Sequence, residues 1–193
     1  MATEDQKRWD ERHEAHRGEV GPASFLCEIF RADSWNIQTG RALDIATGKG
    51  RNALFLAEQG FMVDAIDISE VALQEAQTAA QNRGLSINFE QADLESIELP
   101  ELSYDLILNF NFLQRSLIPK MKRALKLGGH IIFETYLVDQ RVLGHPKNPS
   151  YLLGHNELLN LFRDFRVLQY REGRFVEERK RAYRAGLFAQ KAR

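Results

Sequence analysis

Short apolar runs alternate with amphipathic stretches through the middle of the chain. The strand-like runs are RALDIAT, FMVDAIDI, SINFEQ, SYDLILNF and HIIFETY, and the helix-like ones are NALFLAEQG, SEVALQEAQTAAQNRG and LIPKMKRALKLGG. Alternation of this kind is typical of right-handed βαβ units wound on a parallel sheet. Residues 106–108 are continuously apolar, as expected for a central strand buried on both faces. The pattern predicts an α/β fold.

Local signals set the limits of two of these helices. Ser69 is a good N-cap and Gly84 supplies a left-handed C-terminal residue, so the spacing predicts a helix between them. Pro119 fits the first turn of the next helix, and we expect that helix to run to Gly128 and Gly129, which turn the chain into a strand at residues 130–136.

The two ends of the chain do not follow this alternation of strand-like and helix-like runs. We expect a surface helix at residues 3–17, an apolar helix around residues 25–30 and a short helix near residues 157–162. The polar stretch VDQRVLGHPKNPS is long enough to form a functional wall or lid. The runs FRVLQY and RAYRAGLFAQ, with REGRFVEERK as a turn between them, predict an antiparallel pair at the sheet edge.

Composition narrows the class of protein. The chain has 193 residues, of which 44% are hydrophobic and 27% charged, as in a soluble globular domain. A net charge of -1 argues against strong attraction to nucleic acid or an anionic membrane. The single cysteine, Cys27, excludes an intramolecular disulfide and a cysteine-based zinc site, and no metal site is expected. The N-terminus has no apolar leader, so we expect a cytoplasmic protein.

Basic residues are concentrated near the C-terminus. From Arg171 onward there are eight basic and three acidic residues. Such an excess is able to contact RNA, but it also protects an edge hairpin from pairing with other strands. Few aromatic residues are interleaved with these charges, which favours the second interpretation.

The most informative segment is DIATGKGRNA at residues 44–53, where the first strand passes into a helix. Small residues there allow a ligand close to the backbone, and the helix N-terminus offers free N–H groups. The pattern Gly48-x-Gly50-x-x-Ala53 also matches a dinucleotide fingerprint, with Asp67 about 20 residues further on. The segment predicts a nucleotide site without choosing the nucleotide.

Three features favour an adenosyl sulfonium over a dinucleotide. Asp44 precedes the glycines, where a carboxylate sits badly beside a pyrophosphate and well beside a cation. Asp93 follows the third strand and can accept a hydrogen bond from an adenine amino group. Little more than a hundred residues follow the third strand, which leaves small room for a second, substrate-holding domain.

From Arg41 to its end, the chain resembles the class I S-adenosylmethionine-dependent methyltransferases. The segments that carry the resemblance are LDIATGKGRNALFLA, VDAIDIS, QADLES, YDLILNFNFL and LKLGGHIIFETY. Ala46 departs from the family pattern by replacing its first glycine, and Leu127 stands where proline is common. The WDERH start, the GKGRNALFLA segment and the small size are most similar to the bacterial branch related to tellurite-resistance and thiopurine methyltransferases.

The resemblance implies a three-layer Rossmann-like sandwich with a mostly parallel seven-stranded sheet and an antiparallel C-terminal strand. We expect one domain, with an N-terminal helical cap at 1–35, a cofactor-binding core at 41–136 and a substrate-side loop with the closing strands at 137–193. The implied cofactor is S-adenosyl-L-methionine, and its implied binding residues are Asp44, Ala46, Gly48, Gly50, Arg51, Asp67, Ile68, Asp93, Leu94, Asn109 and Phe110.

The acceptor side is less defined. We take Asn111, Arg115 and Tyr136 as candidate catalytic residues, with His145 and His155 as further candidates. Tyr136 ends a strand at the carboxyl edge, where open α/β sheets bind ligands. An acceptor that is already an anion needs no base, whereas an oxygen or carbon acid requires one.

The predicted function is methyl transfer to a small-molecule or oxyanion acceptor, by a monomer or homodimer that binds neither nucleic acid nor membrane. The alternatives are an NAD-dependent enzyme and a methyltransferase-like subunit that binds without catalysis.

Overall fold

The computed structural model describes residues 2–15, 21–32, 35, 37–177 and 180–192. The helices are α1 (Ala2–Ala15), α2 (Ser24–Arg31), α3 (Arg51–Glu58), α4 (Glu70–Asn82), α5 (Ile118–Ala124) and α6 (Glu157–Leu161). The strands are β1 (Arg41–Ile45), β2 (Met62–Asp67), β3 (Ile87–Gln91), β4 (Tyr104–Phe110), β5 (Leu125–Tyr136), β6 (Phe165–Glu177) and β7 (Lys180–Lys191). Short 3₁₀ turns lie at Arg115–Leu117, Val138–Val142 and Pro149–Tyr151.

The strands form one sheet in the order β3-β2-β1-β4-β5-β7-β6. Strands β1 to β5 pair in parallel, and β7 is antiparallel to both β5 and β6. The predicted mostly parallel sheet with an antiparallel C-terminal strand is confirmed. The order reverses between β1 and β4, and the crevice at the carboxyl ends of such strands is where open α/β sheets bind ligands.

Two apolar layers pack against the two faces of the sheet. On one face, Phe25 and Leu26 of α2 and Leu56 of α3 join the side chains of alternate strand positions such as Leu108. On the other face, Met121 of α5 and the residues around α6 cover the remaining positions. The result is a three-layer α/β sandwich. Among the described residues, no helix combines the length and the apolar character that crossing a membrane would require.

Local capping chemistry sets the ends of α4 as the sequence predicts. The Ser69 Oγ accepts a hydrogen bond from Ala72 N at 3.1 Å, which satisfies one free donor of the first turn. Gly84 follows the helix with a φ of 66°, a left-handed conformation that suits glycine.

The structure differs from the prediction at Leu125–Gly129 and at the C-terminal hairpin. Strand β5 begins at Leu125, which pairs with Tyr104, so the predicted helix ends earlier, at Ala124. A Cβ at Gly129 would lie 3.0 Å from Lys126 O, so glycine is needed in this bend. The predicted turn at residues 171–180 is mostly strand, because β6 continues to Glu177 and β7 starts at Lys180.

At the N-terminus, α1 begins one residue before the predicted helix and ends at Ala15. The last predicted position, Arg17, lies outside the described residues. At the other end of the chain, α6 ends at Leu161, one residue before its predicted end.

The contact between Gly50 and α4 generates a stability prediction. Gly50 has a φ of 77°, and a Cβ placed on it would lie 2.8 Å from the Cβ of Ala76. Gly84 has a φ of 66° with no atom within 4 Å of such a Cβ, so Gly84→Ala measures the conformational cost alone. We expect Gly84→Ala to lower the free energy of unfolding by about 1 kcal/mol, and Gly50→Ala by about 1–3 kcal/mol more. Urea unfolding measures both, and equal losses would show that the helix contact contributes nothing.

Candidate functional site

The turn after β1 contains three small residues in the left-handed backbone region. Ala46, Gly48 and Gly50 have φ values of 51°, 54° and 77°. Thr47 N donates to Ile66 O at 3.0 Å, and Gly50 N donates to Thr47 O at 3.0 Å. These bonds hold the turn against the end of β2 and start α3 directly after Gly50. The turn therefore brings small residues and a helix N-terminus to the carboxyl edge of the sheet.

Asp44 lies beneath this turn and is 1% exposed. Its Oδ2 accepts a hydrogen bond from the Thr47 hydroxyl at 2.6 Å. Burial disfavours the charged carboxylate and raises the pKa of Asp44 to about 7, although Thr47 and the nearby charge of Arg51 oppose the shift. A cation placed beside Asp44 would favour the ionised form.

Asp67 ends β2 and joins it to the turn. Its carboxylate accepts hydrogen bonds from Gly48 N at 2.7 Å and from Ser69 N at 2.9 Å. Burial raises the pKa of Asp67, and these two donors counteract the increase. A carboxylate has about four acceptor positions, so Asp67 keeps capacity for hydroxyl donors from a ligand.

The third acid follows β3 at the same edge. Ala92 N donates to Asp67 O at 3.0 Å, which brings the loop after β3 against the end of β2. Asp93 Oδ1 accepts from Glu95 N at 2.9 Å, and this local bond shapes the loop. Leu94 is buried and Ile68 is partly exposed. An apolar surface flanked by an acid suits a purine ring.

Asn109 and Phe110 end β4 beside the turn. Asn109 is 1% exposed, and its Nδ2 donates to Phe112 O at 2.7 Å. This bond holds the bend at Asn111, which has a φ of 56°. Phe110 is buried against the face that α2 covers. Both side chains are therefore buried at the carboxyl end of β4.

Helix α1 covers the turn from outside. Asp10 Oδ1 accepts from the Ser69 hydroxyl at 2.5 Å and from Val71 N at 3.4 Å, at the N-terminus of α4. A Cβ on Gly48 would lie 3.4 Å from His13 Cε1, and His13 favours the ionised form of Asp67. The sequence indicates only a surface helix here, because these contacts join residues far apart in the chain.

Arg115 forms an ion pair and backbone hydrogen bonds that hold two loops together. Its Nε and Nη2 donate to the two carboxylate oxygens of Glu157 at 2.6 and 2.9 Å. It also donates to the carbonyl oxygens of Ser150 and Leu152 at 3.1 and 2.9 Å. These bonds tie the 3₁₀ turn after β4 to the loop after β5 and to the start of α6, so we do not include Arg115 in the acceptor site.

The two histidine candidates lie in the loop region after β5. The exposed His155 ring pairs with Asp139 Oδ2 at 2.6 Å, and this carboxylate raises the pKa of His155. The carbonyl oxygen of His145 accepts a hydrogen bond from Gln140 at 3.0 Å. Both contacts stabilise the loop. The described residues include no group of three or more side chains placed to hold a metal ion.

Asn111 and Tyr136 lie together at the ends of β4 and β5, joined by Arg184 of β7. Arg184 Nη1 donates to Asn111 Oδ1 at 2.6 Å, and Arg184 Nη2 donates to the Tyr136 hydroxyl oxygen at 3.0 Å. The guanidinium also lies 4.3 Å from the centre of the Tyr136 ring. The structure therefore brings two of the three catalytic candidates into one contact.

Three further buried or half-buried charged residues, for which the sequence pattern predicts no role at the site, are Arg184, Arg171 and Glu134. Arg184 is 6% exposed and Glu134 is 1% exposed. Arg171 donates to Glu134 Oε2 from Nε and Nη2 at 3.0 and 2.6 Å. Two residues of the basic C-terminal excess are thus internal partners of a buried acid. The available signal is an arginine that alternates with apolar residues in RAYRAGLFAQ.

Comparisons with known proteins agree with this geometry. The family model described as "methyltransferase domain" matches residues 42–129. A probable S-adenosyl-L-methionine-dependent methyltransferase TehB of Haemophilus influenzae is 28% identical over 139 residues, which cover 68% of this chain and 48% of that protein. A ubiquinone biosynthesis O-methyltransferase of Rickettsia prowazekii is 36% identical over 84 residues, which cover 44% of this chain and 33% of that protein. The chain thus spans about half the length of TehB and about a third of the length of the O-methyltransferase.

Solved structures show the same fold. The crystal structure of TehB from Haemophilus influenzae superposes with a TM-score of 0.77 at 21% identity, over 95% of this chain and 67% of that one. Magnesium protoporphyrin IX methyltransferase from Synechocystis superposes with a TM-score of 0.73 at 17% identity, over 99% of both chains. The matched domain and the relatives make this chain similar to S-adenosylmethionine-dependent methyltransferases, and the solved structures share its Rossmann-like α/β fold.

Proposed function

We propose that the chain binds S-adenosylmethionine at the carboxyl ends of β1 to β4 and transfers its methyl group to a small-molecule or oxyanion acceptor. The observation that carries this proposal is that three acidic strand ends lie at one edge of the sheet, two of them at the same tight turn. Asp44 lies under the turn, Asp67 is bonded to Gly48 within it, and Asp93 follows the neighbouring strand.

The chemistry of these acids fits the three parts of the cofactor. The buried Asp44 carboxyl, with its pKa raised to about 7, suits the ammonium group of the methionine portion. Asp67 retains acceptor capacity for the ribose hydroxyls. Asp93 and the buried Leu94 suit the amino group and the ring of adenine.

The same geometry argues against a dinucleotide. A pyrophosphate in the turn would lie at the N-terminus of α3, close to the Asp44 carboxylate beneath it. Two negative groups in a poorly solvated site repel each other strongly. The sulfonium compound places positive charge in the same region, which Asp44 stabilises.

In the proposed reaction, the bound cofactor supplies an electrophilic methyl group. The chain contributes alignment, because the turn, Asp67 and Asp93 fix three parts of one ligand relative to the end of β4. Asn109 and Phe110 are both buried at the end of β4, where they would limit the access of water to the reacting groups. Alignment at a separation of about 3–3.5 Å and exclusion of water are the main sources of acceleration for a displacement of this type.

The first prediction concerns the ribose contact. Asp67→Asn keeps the shape of the side chain but removes the charge that accepts hydroxyl hydrogen bonds. We expect the affinity for S-adenosylhomocysteine to fall about 10- to 100-fold in calorimetry. Asp64→Asn is the matched control, because Asp64 is also buried on β2 but is bonded to Arg41 and Asn88.

Three outcomes would contradict parts of this proposal. Equal affinities of wild type and Asp67→Asn would remove the ribose assignment. Tight binding of NAD without binding of S-adenosylhomocysteine would replace the proposal by a dehydrogenase. Cofactor binding without methyl transfer across a broad acceptor panel would leave a non-catalytic binding subunit.

The second prediction concerns pH. The raised pKa of Asp44 means that its carboxyl is mostly protonated below about pH 7 in the free protein. The ammonium group of S-adenosylhomocysteine favours the ionised form, so binding must release this proton at low pH. We expect the affinity to rise between pH 5.5 and 7 by up to about tenfold per pH unit and to level off above that range.

Asp44→Asn is the control for this pH dependence. Its amide does not titrate, so we expect weaker binding with a smaller slope over the same range. Calorimetry at several pH values measures both proteins. An identical slope in wild type and variant would assign the titration to another group.

A further inference from the structure

The residues Asn111, Tyr136 and Arg184, named here the donor cluster, lie at the carboxyl edge next to the end of β4. Tyr136 and Arg184 are direct partners in the pairing of β5 with β7. Asn111 is exposed and Tyr136 is partly exposed, whereas Arg184 is 6% exposed. The cluster therefore presents its amide and its phenol outward, with the guanidinium behind them.

Arg184 determines the direction of both outer groups. A guanidinium has hydrogen-bond donors and no acceptor, so the atom that Asn111 turns toward Arg184 must be its oxygen. The NH₂ of Asn111 then lies on the other side of the amide. The Tyr136 oxygen likewise accepts from Arg184, so its own O–H is directed elsewhere. Both outer groups offer donors to a ligand.

The acid beside the cluster does not offer a base. Glu134 is 1% exposed and accepts two hydrogen bonds from Arg171. Arg171 also pairs with the exposed Glu28 of α2 and lies 4.4 Å and 4.6 Å from the ring centres of Phe25 and Phe175. The carboxylate of Glu134 is enclosed by these groups and has no open side from which to reach an acceptor.

Arg184 shares the buried carboxylate of Glu134 with Arg171, because its Nη1 lies 3.6 Å from Glu134 Oε1 in an ion pair. Its direct hydrogen bonds, in contrast, go to the two neutral oxygens of Asn111 and Tyr136. Its buried Nε has no hydrogen-bond partner among the described residues. The cluster thus combines a cation with two outward donors, and such a set stabilises a negative oxygen.

We propose, on the basis of the proposed function, that the donor cluster binds the methyl acceptor through an anionic oxygen and that no side chain removes a proton from it. The lone pair of this oxygen forms the bond to the methyl carbon, and the carbon–sulfur bond pair stays on sulfur. The oxygen loses its negative charge, the sulfonium loses its positive charge, and no proton is exchanged. The acceptor class is therefore an oxygen nucleophile already ionised in solution, such as a phenolate.

The test uses 4-nitrophenol, whose ionised and neutral forms differ in absorbance. The probe is titrated with the protein, with and without S-adenosylhomocysteine, across its own ionisation range. We expect the wild type to bind the phenolate at least about tenfold more tightly than the phenol, which lowers the ionisation midpoint of the bound probe by about one pH unit. The methyl ether 4-nitroanisole has the same ring without an ionisable oxygen, and its binding should not vary over this range.

Variants assign the effect to the cluster. Arg184→Met should abolish the shift of the midpoint, while Arg174→Met, the same change at an exposed position of β6, should leave it unchanged. Asn111→Asp is a second variant at an exposed, left-handed position that aspartate tolerates, and it replaces an outward donor by a negative charge. It should also abolish the preference for the phenolate.

Three results would overturn the inference. They are equal binding of both probe forms by the wild type, no binding of either form at millimolar concentration, and a shift that persists in both Arg184→Met and Asn111→Asp. Calorimetry with S-adenosylhomocysteine on the same samples reports the cofactor side separately. Loss of cofactor binding in the wild type would reject the proposed function, whereas loss of the probe shift alone would reject only the acceptor assignment.

Discussion

The hydrogen bond from Gly48 N to the Asp67 carboxylate, at 2.7 Å, joins the turn after β1 to the end of β2. The same carboxylate accepts from Ser69 N at the entrance to α4. A buried carboxylate needs such donors, because it has lost its water. Two backbone segments are therefore held by one side chain, and the small residues of the turn allow the approach. The crevice proposed for the cofactor and the packing of α4 therefore depend on a single constraint.

The sequence signals for the proposed cofactor side of the site are local. Ser69 caps α4 within three residues, Gly48 and Gly50 bend the chain where they stand, and Asp67 ends its own strand. Parallel pairing of neighbouring strands then brings the strand ends to one edge without further information. The length of β5 is not predictable in this way. Leu125 carries a helix-like spacing, yet pairing with Tyr104 in another strand decides its conformation.

The proposed acceptor side depends on partners that are distant in sequence. Arg115 and Arg184 are the same residue type, and both are near the carboxyl edge by their position in the chain. Arg115 binds the carboxylate of Glu157 and connects two loops, whereas Arg184 is buried and binds Asn111 and Tyr136. Sequence pattern alone cannot separate these outcomes, because the partner and the burial of a charged side chain are fixed only by the tertiary fold. The excess of basic residues near the C-terminus even predicts that Arg184 is solvated on an edge hairpin, whereas it is buried.

The buried pairing of Glu134 with Arg171 and Arg184 is a costly way to fill the end of a sheet. Replacing such charges by apolar residues is often neutral or stabilising, while removing one partner costs about 3–5 kcal/mol. A gain in stability therefore does not explain well why a buried arginine occupies position 184 beside Glu134. The orientation of Asn111 and Tyr136 explains it better, because a guanidinium has only donors and makes the amide and the phenol turn their acceptor oxygens inward. An apolar residue at the same position would leave Asn111 free to present either its oxygen or its nitrogen, and the polarity of the crevice would no longer be defined.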